Sequence, residues 1–203
     1  MSRNREEEAF DAFFRKLNNQ QQLAEKGKIL LSEPFLSDPN FSRSVVLLVR
    51  HDPEGSVGFV LNRESDFYIN EVVDDFPDFE SRVFIGGPVG RESLFYLHSL
   101  GDKLEGSFKV QRNLYWGGNF DLLKELIDKG EVDPKQIRFF VGYSGWESGQ
   151  LEQEMEEKSW IVTKAASSEV LIKNTGRLWG RLLNKLGDSY RIISNFPKDP
   201  HLN

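Results

Sequence analysis

The chain has 203 residues, enough for one substantial domain with an appendage, and 38% of them are hydrophobic, including 16 Phe and 4 Trp that can fill a core. That composition excludes intrinsic disorder and collagen-like repetition, and the absence of Cys excludes both a disulfide scaffold and thiol chemistry. A net charge of −6 repels a polyanion at long range, so any nucleic-acid contact must be local. Residues 159–203, with seven basic and three acidic side chains, are the only part that favours it.

In chain order, Phe10, Phe13, Phe14 and Leu17 recur at helical spacing, with Glu6, Glu7 and Glu8 before them and Arg15 and Lys16 toward the far end. This predicts an amphipathic helix within an extension over residues 1–25, followed by one domain over residues 26–203. The segment has no signal-peptide core, and no run approaches the length of a membrane span, so a soluble, cytoplasmic protein is expected. After GKILLS, the stretch EPFLSDPNF is punctuated by proline and reads as a loop. Ser44 to Arg50 is a β-branched apolar run that reads as a strand buried on both faces, and SVGFVLN resumes as a strand after the turn formers HDPEG, giving a hairpin. Strands are predicted over 82–85, 94–97 and 108–110, then a helix whose face is Phe120, Leu123, Leu126 and Ile127, closed by Gly130. IRFFVGY reads as a strand, SGWESGQLEQEMEEK as a helix, WIVT as a strand, and residues 167–187 as one long final helix. Helices and strands without a regular βαβ period favour an α+β fold.

The chemical motifs are modest. GYSGW, Gly142 to Trp146, resembles a nucleophile elbow, but Trp146 stands where a small residue is needed; Ser144 three residues before Glu147 reads better as a capping box. GGPVG, Gly86 to Gly90, matches neither dinucleotide nor P-loop patterns. His51, His98 and His201 fall in no zinc-ligand spacing, so no metal and no cofactor are expected. His51 beside Asp52 reads as turn chemistry and His98 as a hydrogen-bonded strand end, although either could act as an acid or base. The acidic segment 147–157 reads as a solvated helix face or as a docking surface for a basic partner. Lys173, Arg177, Arg181 and Lys185 at four-residue steps would form a basic ridge on the last helix, the one feature that suits DNA, with Gly176 and Gly180 marking a kink or a close approach.

The segments GKILLSEPFLSDPNFSRSVVLLVRHDPEGSVGFVLNR, VFIGGPVGRESLFYLH, FFVGYSGWESGQLEQEMEEKSW and FPKDPHLN, in that order from Gly27 to Asn203, resemble the AlgH/YqgE family of bacterial proteins, and YWGGNF is similar to its Bacteroidetes branch. The resemblance implies an α+β fold with a bifurcated sheet, a small closed barrel and surrounding helices. It also implies a role in regulation, the family's name coming from the regulation of alginate synthesis and the resemblance suggesting a transcriptional regulator, with no agreed catalytic residues. Some relatives carry a Cys in the segment matching Leu47 to His51; this chain has none, so a thiol role cannot be general.

The residues and the resemblance together point to a non-enzymatic binding or regulatory protein. Its candidate ligand-binding residues are Asn62, Arg63, Gly86, Gly87, Pro88, His98, Gly145, Trp146 and Gln150, because Gly, Pro, Asn, Arg and Trp gather at strand ends. The expected partner is a protein or a small ligand, with DNA a weaker alternative and no membrane. Two other classes compete: a hydrolase or nucleotide-processing enzyme using His98 or His51, and a structural partner of another protein that docks through the acidic or the N-terminal helix.

Overall fold

The computed structural model describes residues 23–34, 36, 38–187, 190, 191 and 194. The helix expected within residues 1–25 and the terminal FPKDPHLN lie outside them, apart from residues 23–25. Ten strands form one sheet in the order β10-β1-β2-β3-β9-β6-β8-β7, with β5 and β4 branching from it. They are β1 (Ile29–Ser32), β2 (Val45–Asp52), β3 (Gly55–Val60), β4 (Glu64–Tyr68), β5 (Arg82–Ile85), β6 (Val89–His98), β7 (Phe108–Gln111), β8 (Leu114–Trp116), β9 (Ile137–Glu147) and β10 (Trp160–Thr163). The helices are short: α1 (Ile69–Val72), α2 (Phe120–Asp128), α3 (Gln150–Glu156), α4 (Ser167–Val170) and α5 (Leu178–Asn184), with a 3₁₀ turn at Gly101–Lys103. The mixed helix and strand content agrees with the α+β expectation, and every strand pair is antiparallel except β5 with β9.

The sheet forks at β9. Along one edge of that strand, Phe139 to Val141 pair with β5, and then Ser144 to Glu147 pair with β3; β6 runs along the other edge. The change of neighbour occurs around Gly142, whose φ of +69° suits glycine, and whose position would bring a Cβ within 2.8 Å of Val89 O and 2.9 Å of Gly87 O. Strand alternation then divides the core. Phe140 faces one apolar cluster with Phe59, Leu47 and Leu114, while Phe139 faces another with Phe76, Phe79 and Leu123 under α1 and α2. A third cluster, Leu30, Val46, Leu48, Trp146, Leu151 and Trp160, lies beneath α3. Both faces of β1 and β2 are therefore covered, which explains their unbroken apolar runs.

Several expectations need correction. The sheet is not closed into a barrel: β10 and β7 each end the strand path with one neighbour. The edges do curl toward each other, but side chains bridge them instead of a ladder, Gln111 Nε2 donating to Ala165 O at 3.1 Å and Ser167 Oγ to Arg112 O at 2.6 Å. Ser144 to Glu147 are strand, not a capped helix start, because β3 continues the pairing there. Ser144 Oγ donates instead to Gly86 O at 3.0 Å, and α3 begins only after Gly149, in the left-handed region at φ +77°. The long final helix is two helices separated by residues 171–177, where the polar, glycine-containing run KNTG interrupts the helical pattern. The strand at 94–97 starts earlier, at Val89, and β4, β8 and α1 are additions. The hairpin of β2 and β3 is present, its ladder extending to Asp52 opposite Gly55.

Candidate functional site

Of the candidate ligand-binding residues, Asn62, Arg63, Gly86, Gly87, Pro88 and Gly145 lie on segments next to the fork, whereas Trp146 and Gln150 do not. Ile85 N donates to Arg63 O at 2.8 Å, Gly86 N to Val141 O at 2.9 Å and Val60 N to Gly86 O at 2.8 Å, so residues 63 and 85–86 are joined through backbone to each other and to β3 and β9, and the Ser144 hydroxyl also donates to Gly86 O. A Cβ on Gly87 would meet Tyr143 C at 2.2 Å, which shows how closely the 86–88 turn lies on β9. The polar side chains here hold the protein together. Asn62 accepts from Val45 N and donates to Arg43 O, each at 2.9 Å, and Arg63 donates to Pro39 O at 2.9 Å. Burial holds the Arg63 pKa below its ordinary value, with Asp38 opposing and Arg91 adding.

Trp146 and Gln150 sit farther along, at the third cluster. The indole N–H of Trp146 donates to Glu154 Oε2 at 2.9 Å, and Trp160 donates to the same oxygen at 2.7 Å. Gln150 Nε2 donates to Glu154 Oε1 at 2.9 Å, and its own Oε1 accepts from Glu147 N at 3.0 Å. The acidic helix thus turns one carboxylate inward as a hub, a role that its charge pattern did not reveal.

His98 is wholly buried. Its Nδ1 accepts from Leu100 N at 3.2 Å, which places the proton on Nε2, and that nitrogen faces Gly117 O at 3.0 Å and Ser107 Oγ at 3.1 Å. Burial lowers its pKa, against the raising effect of Gly117 O. A neutral imidazole with both nitrogens occupied and no exposure has no means of exchanging a proton with a substrate. His51 is the ladder partner of Ser56 and meets its Oγ through Nδ1 at 2.8 Å, while Nε2 lies 3.7 Å from Glu152 Oε1. Among the described residues, no group of three or more His, Asp or Glu side chains is arranged to hold a metal.

The basic ridge does not exist as a single helical face. Lys173 lies in the irregular segment before α5, Arg177 is the residue preceding that helix, and Lys185 follows it, paired with Glu169. Arg181 has Nε and Nη2 buried without a hydrogen-bond partner among the described residues. For Glu169, burial alone would raise the pKa, but the Lys185 ammonium, the Ala166 N–H and the Arg181 charge overcome it and hold the carboxyl below its ordinary value.

The group that stands out chemically was not among the candidates. Arg138, in the apolar strand β9, is 3% exposed, donates through Nη1 to Leu61 O at 3.1 Å and through Nη2 to Ile172 O, and lies over the Phe84 ring at 4.5 Å. Among the described residues no carboxylate forms an ion pair with it. Burial pushes its pKa down to about 9, with Glu64 opposing, so the guanidinium remains charged at neutral pH. A charge buried without a counter-ion is costly to the fold.

Arg138 also lines a cavity of about 160 Å³ between β4, β5, β9 and residues 171–173, together with Glu64, Tyr68, Glu80, Ser81, Arg82 and Lys173. Arg82 is 3.5 Å from Glu64 Oε1 and stacks on the Tyr68 ring at 4.7 Å. Lys173, singled out for the basic ridge, is thus brought to a different site. The signal available in the sequence was the arginine inside IRFFVGY, a charge where a strand buried on both faces has none to spare.

Comparison with known proteins places this geometry in context. The family model described as AlgH-like matches residues 29–191, which include every residue of the cavity. A UPF0301 protein of Cytophaga hutchinsonii is 45% identical over 179 residues, covering 88% of this chain and 98% of that protein. A UPF0301 protein of Bacteroides thetaiotaomicron is 41% identical over 189 residues, covering 93% and 96%. Among solved structures, the AlgH protein from Pseudomonas aeruginosa superposes with a TM-score of 0.68 at 27% identity, covering 88% of this chain and 98% of that one. A Corynebacterium diphtheriae protein does so with a TM-score of 0.75 at 23% identity, covering 87% and 95%, and so shares the fold.

Proposed function

The chain belongs to the AlgH-like family, and from that premise we propose that it is a non-catalytic binding protein that takes a small carboxylate- or phosphate-bearing ligand in the Arg138 cavity. The observation that carries this reading is a buried guanidinium, without an ion-paired carboxylate among the described residues, lining a polar cavity. A cavity of about 160 Å³ is close in size to the roughly 150 Å³ that admits a benzene-sized molecule. Planar donors in a fork suit carboxylate and phosphate oxygens, and the low local dielectric strengthens that pairing. The regulatory role implied by the family resemblance fits a ligand-sensing module better than direct DNA contact, since Lys185 is paired and part of the Arg181 guanidinium is buried.

The test is a thermal-shift and calorimetric panel of small carboxylates and inorganic phosphate on the full chain, alongside Arg138→Gln and Arg138→Lys. Ligands that favour the native state raise its midpoint; the expected result is a rise in the wild type, a weaker one in the lysine variant and none in the glutamine variant. If no anion raises the midpoint of the wild type, the reading is wrong.

A second reading places protein recognition at the fork, through Arg63, Gly86, Gly87, Pro88 and Gly145. It is supported by the backbone bond from Ile85 to Arg63, by the Ser144 hydroxyl bond to Gly86 O and by the exposed Val89 beside them. Loss of a co-purifying protein in Val89→Glu, with the midpoint unchanged, would support it; identical co-purification would remove it.

A further inference from the structure

The charges around the cavity specify more than an anion. Arg82 and Glu64 pair with one another, so their charges are already balanced within the wall. The charged lining that remains is Arg138 at depth and two exposed side chains, Lys173 and Glu80, which form no ion pair or hydrogen bond among the described residues. These residues bring two positive charges and one negative charge to the lining of one small space. A simple dicarboxylate would satisfy the two cations and leave Glu80 repelling it, and a neutral amino acid would leave Lys173 unanswered. A molecule with two carboxylates and one ammonium answers all three. Tyr68 and Ser81 add neutral hydroxyls to the same wall.

Resting on the anion-binding reading above, we infer that the ligand class is an acidic α-amino acid, of the aspartate or glutamate type. One carboxylate engages the Arg138 fork, the second lies toward Lys173, and the ammonium faces Glu80. The deep contact supplies most of the affinity, because a charge-assisted pair in a buried site is stronger than one at a wet rim. The rim charges supply selectivity.

The experiment is isothermal titration of the full chain with L-aspartate, L-glutamate, succinate, L-alanine and inorganic phosphate, repeated on Glu80→Gln, Lys173→Gln and Arg138→Lys. The expected result is that an acidic amino acid binds more tightly than succinate by about two- to fivefold, the worth of one ion pair at a solvent-facing rim. Glu80→Gln should erase that preference while succinate binds at least as well as before, and Lys173→Gln should erase the preference for aspartate over alanine. If succinate or phosphate binds the wild type as well as the amino acids do, or if Glu80→Gln leaves the preference intact, the amino-acid assignment falls and the anion reading stands. If none of the five binds, both fall. Because Glu80 and Lys173 are exposed, their variants keep the test decisive even where a change at Arg138 unfolds the protein.

Discussion

Glu154→Ala tests whether the acidic helix is held to the sheet by one inward carboxylate. In the structure Oε2 accepts from two indoles, Trp146 at 2.9 Å and Trp160 at 2.7 Å, and these side chains are 5% and 1% exposed. Removing the carboxylate leaves both N–H groups without that acceptor in a site packed by Phe41, which stacks on Trp146 at 6.1 Å and meets Trp160 edge-on at 5.4 Å. An unsatisfied buried donor costs about 1–3 kcal/mol, so two cost about 2–6 kcal/mol. Urea unfolding followed by tryptophan fluorescence should show the unfolding free energy falling by that amount, through a lower midpoint with the slope unchanged. Glu154→Gln, which keeps one oxygen as an acceptor, should lose less. A change below about 0.5 kcal/mol in the alanine variant, the range of an ordinary surface substitution, would refute the hub.

Two further outcomes follow from the fork and from the buried imidazole. Gly142→Ala combines a left-handed backbone with contacts of 2.8 Å and 2.9 Å to two carbonyl oxygens; the expected loss is about 2–5 kcal/mol in chemical unfolding, and a loss under about 1 kcal/mol would mean that the start of β6 can move aside. His98 binds a proton less readily in the native state than its ordinary value of 6.5, so the unfolded chain takes up more protons as the pH falls. The stability contribution of a neutral His98 is therefore complete above pH 6.5 and declines below it. Unfolding midpoints measured from pH 7.5 to 5.5 should fall at the acid end, and a flat profile would contradict the burial.

Much of the framework can be read from local pattern, because local pattern caused it. Val45 to Leu48 form an uninterrupted apolar run since β1 and β3 flank the strand and both its faces are covered. Phe120, Leu123 and Ile127 recur at helical spacing, and Asn119 caps their helix by accepting from Leu122 N at 3.0 Å. The GYSGWE segment is different. Its Ser144 and Glu147 carry a helix-start signature, yet Gly55 to Gly58, remote in sequence, pair with residues 144–147 and make them strand; tertiary pairing overrides the local preference. The spacing of Lys173 to Lys185 likewise assumed a continuous helix, which KNTG breaks. The cavity was not visible for a related reason. Arg138 is conspicuous in its strand, but the lining comes from residues 64–68, 80–84, 134–138 and 171–173, which only the branching of the sheet assembles.

The gap between β7 and β10 sets how the interior can breathe. A closed barrel would have to rupture a ladder of backbone bonds to admit anything to its centre, whereas this curl is fastened by the side chains of Gln111 and Ser167. Side-chain clasps release one at a time, leaving the paired strands on either side intact. Release of these clasps would expose Val110, Leu114 and Ala165, which are buried while the clasps hold, before any strand is lost, and amide exchange should begin at these two edges while β9, held on both sides, exchanges last.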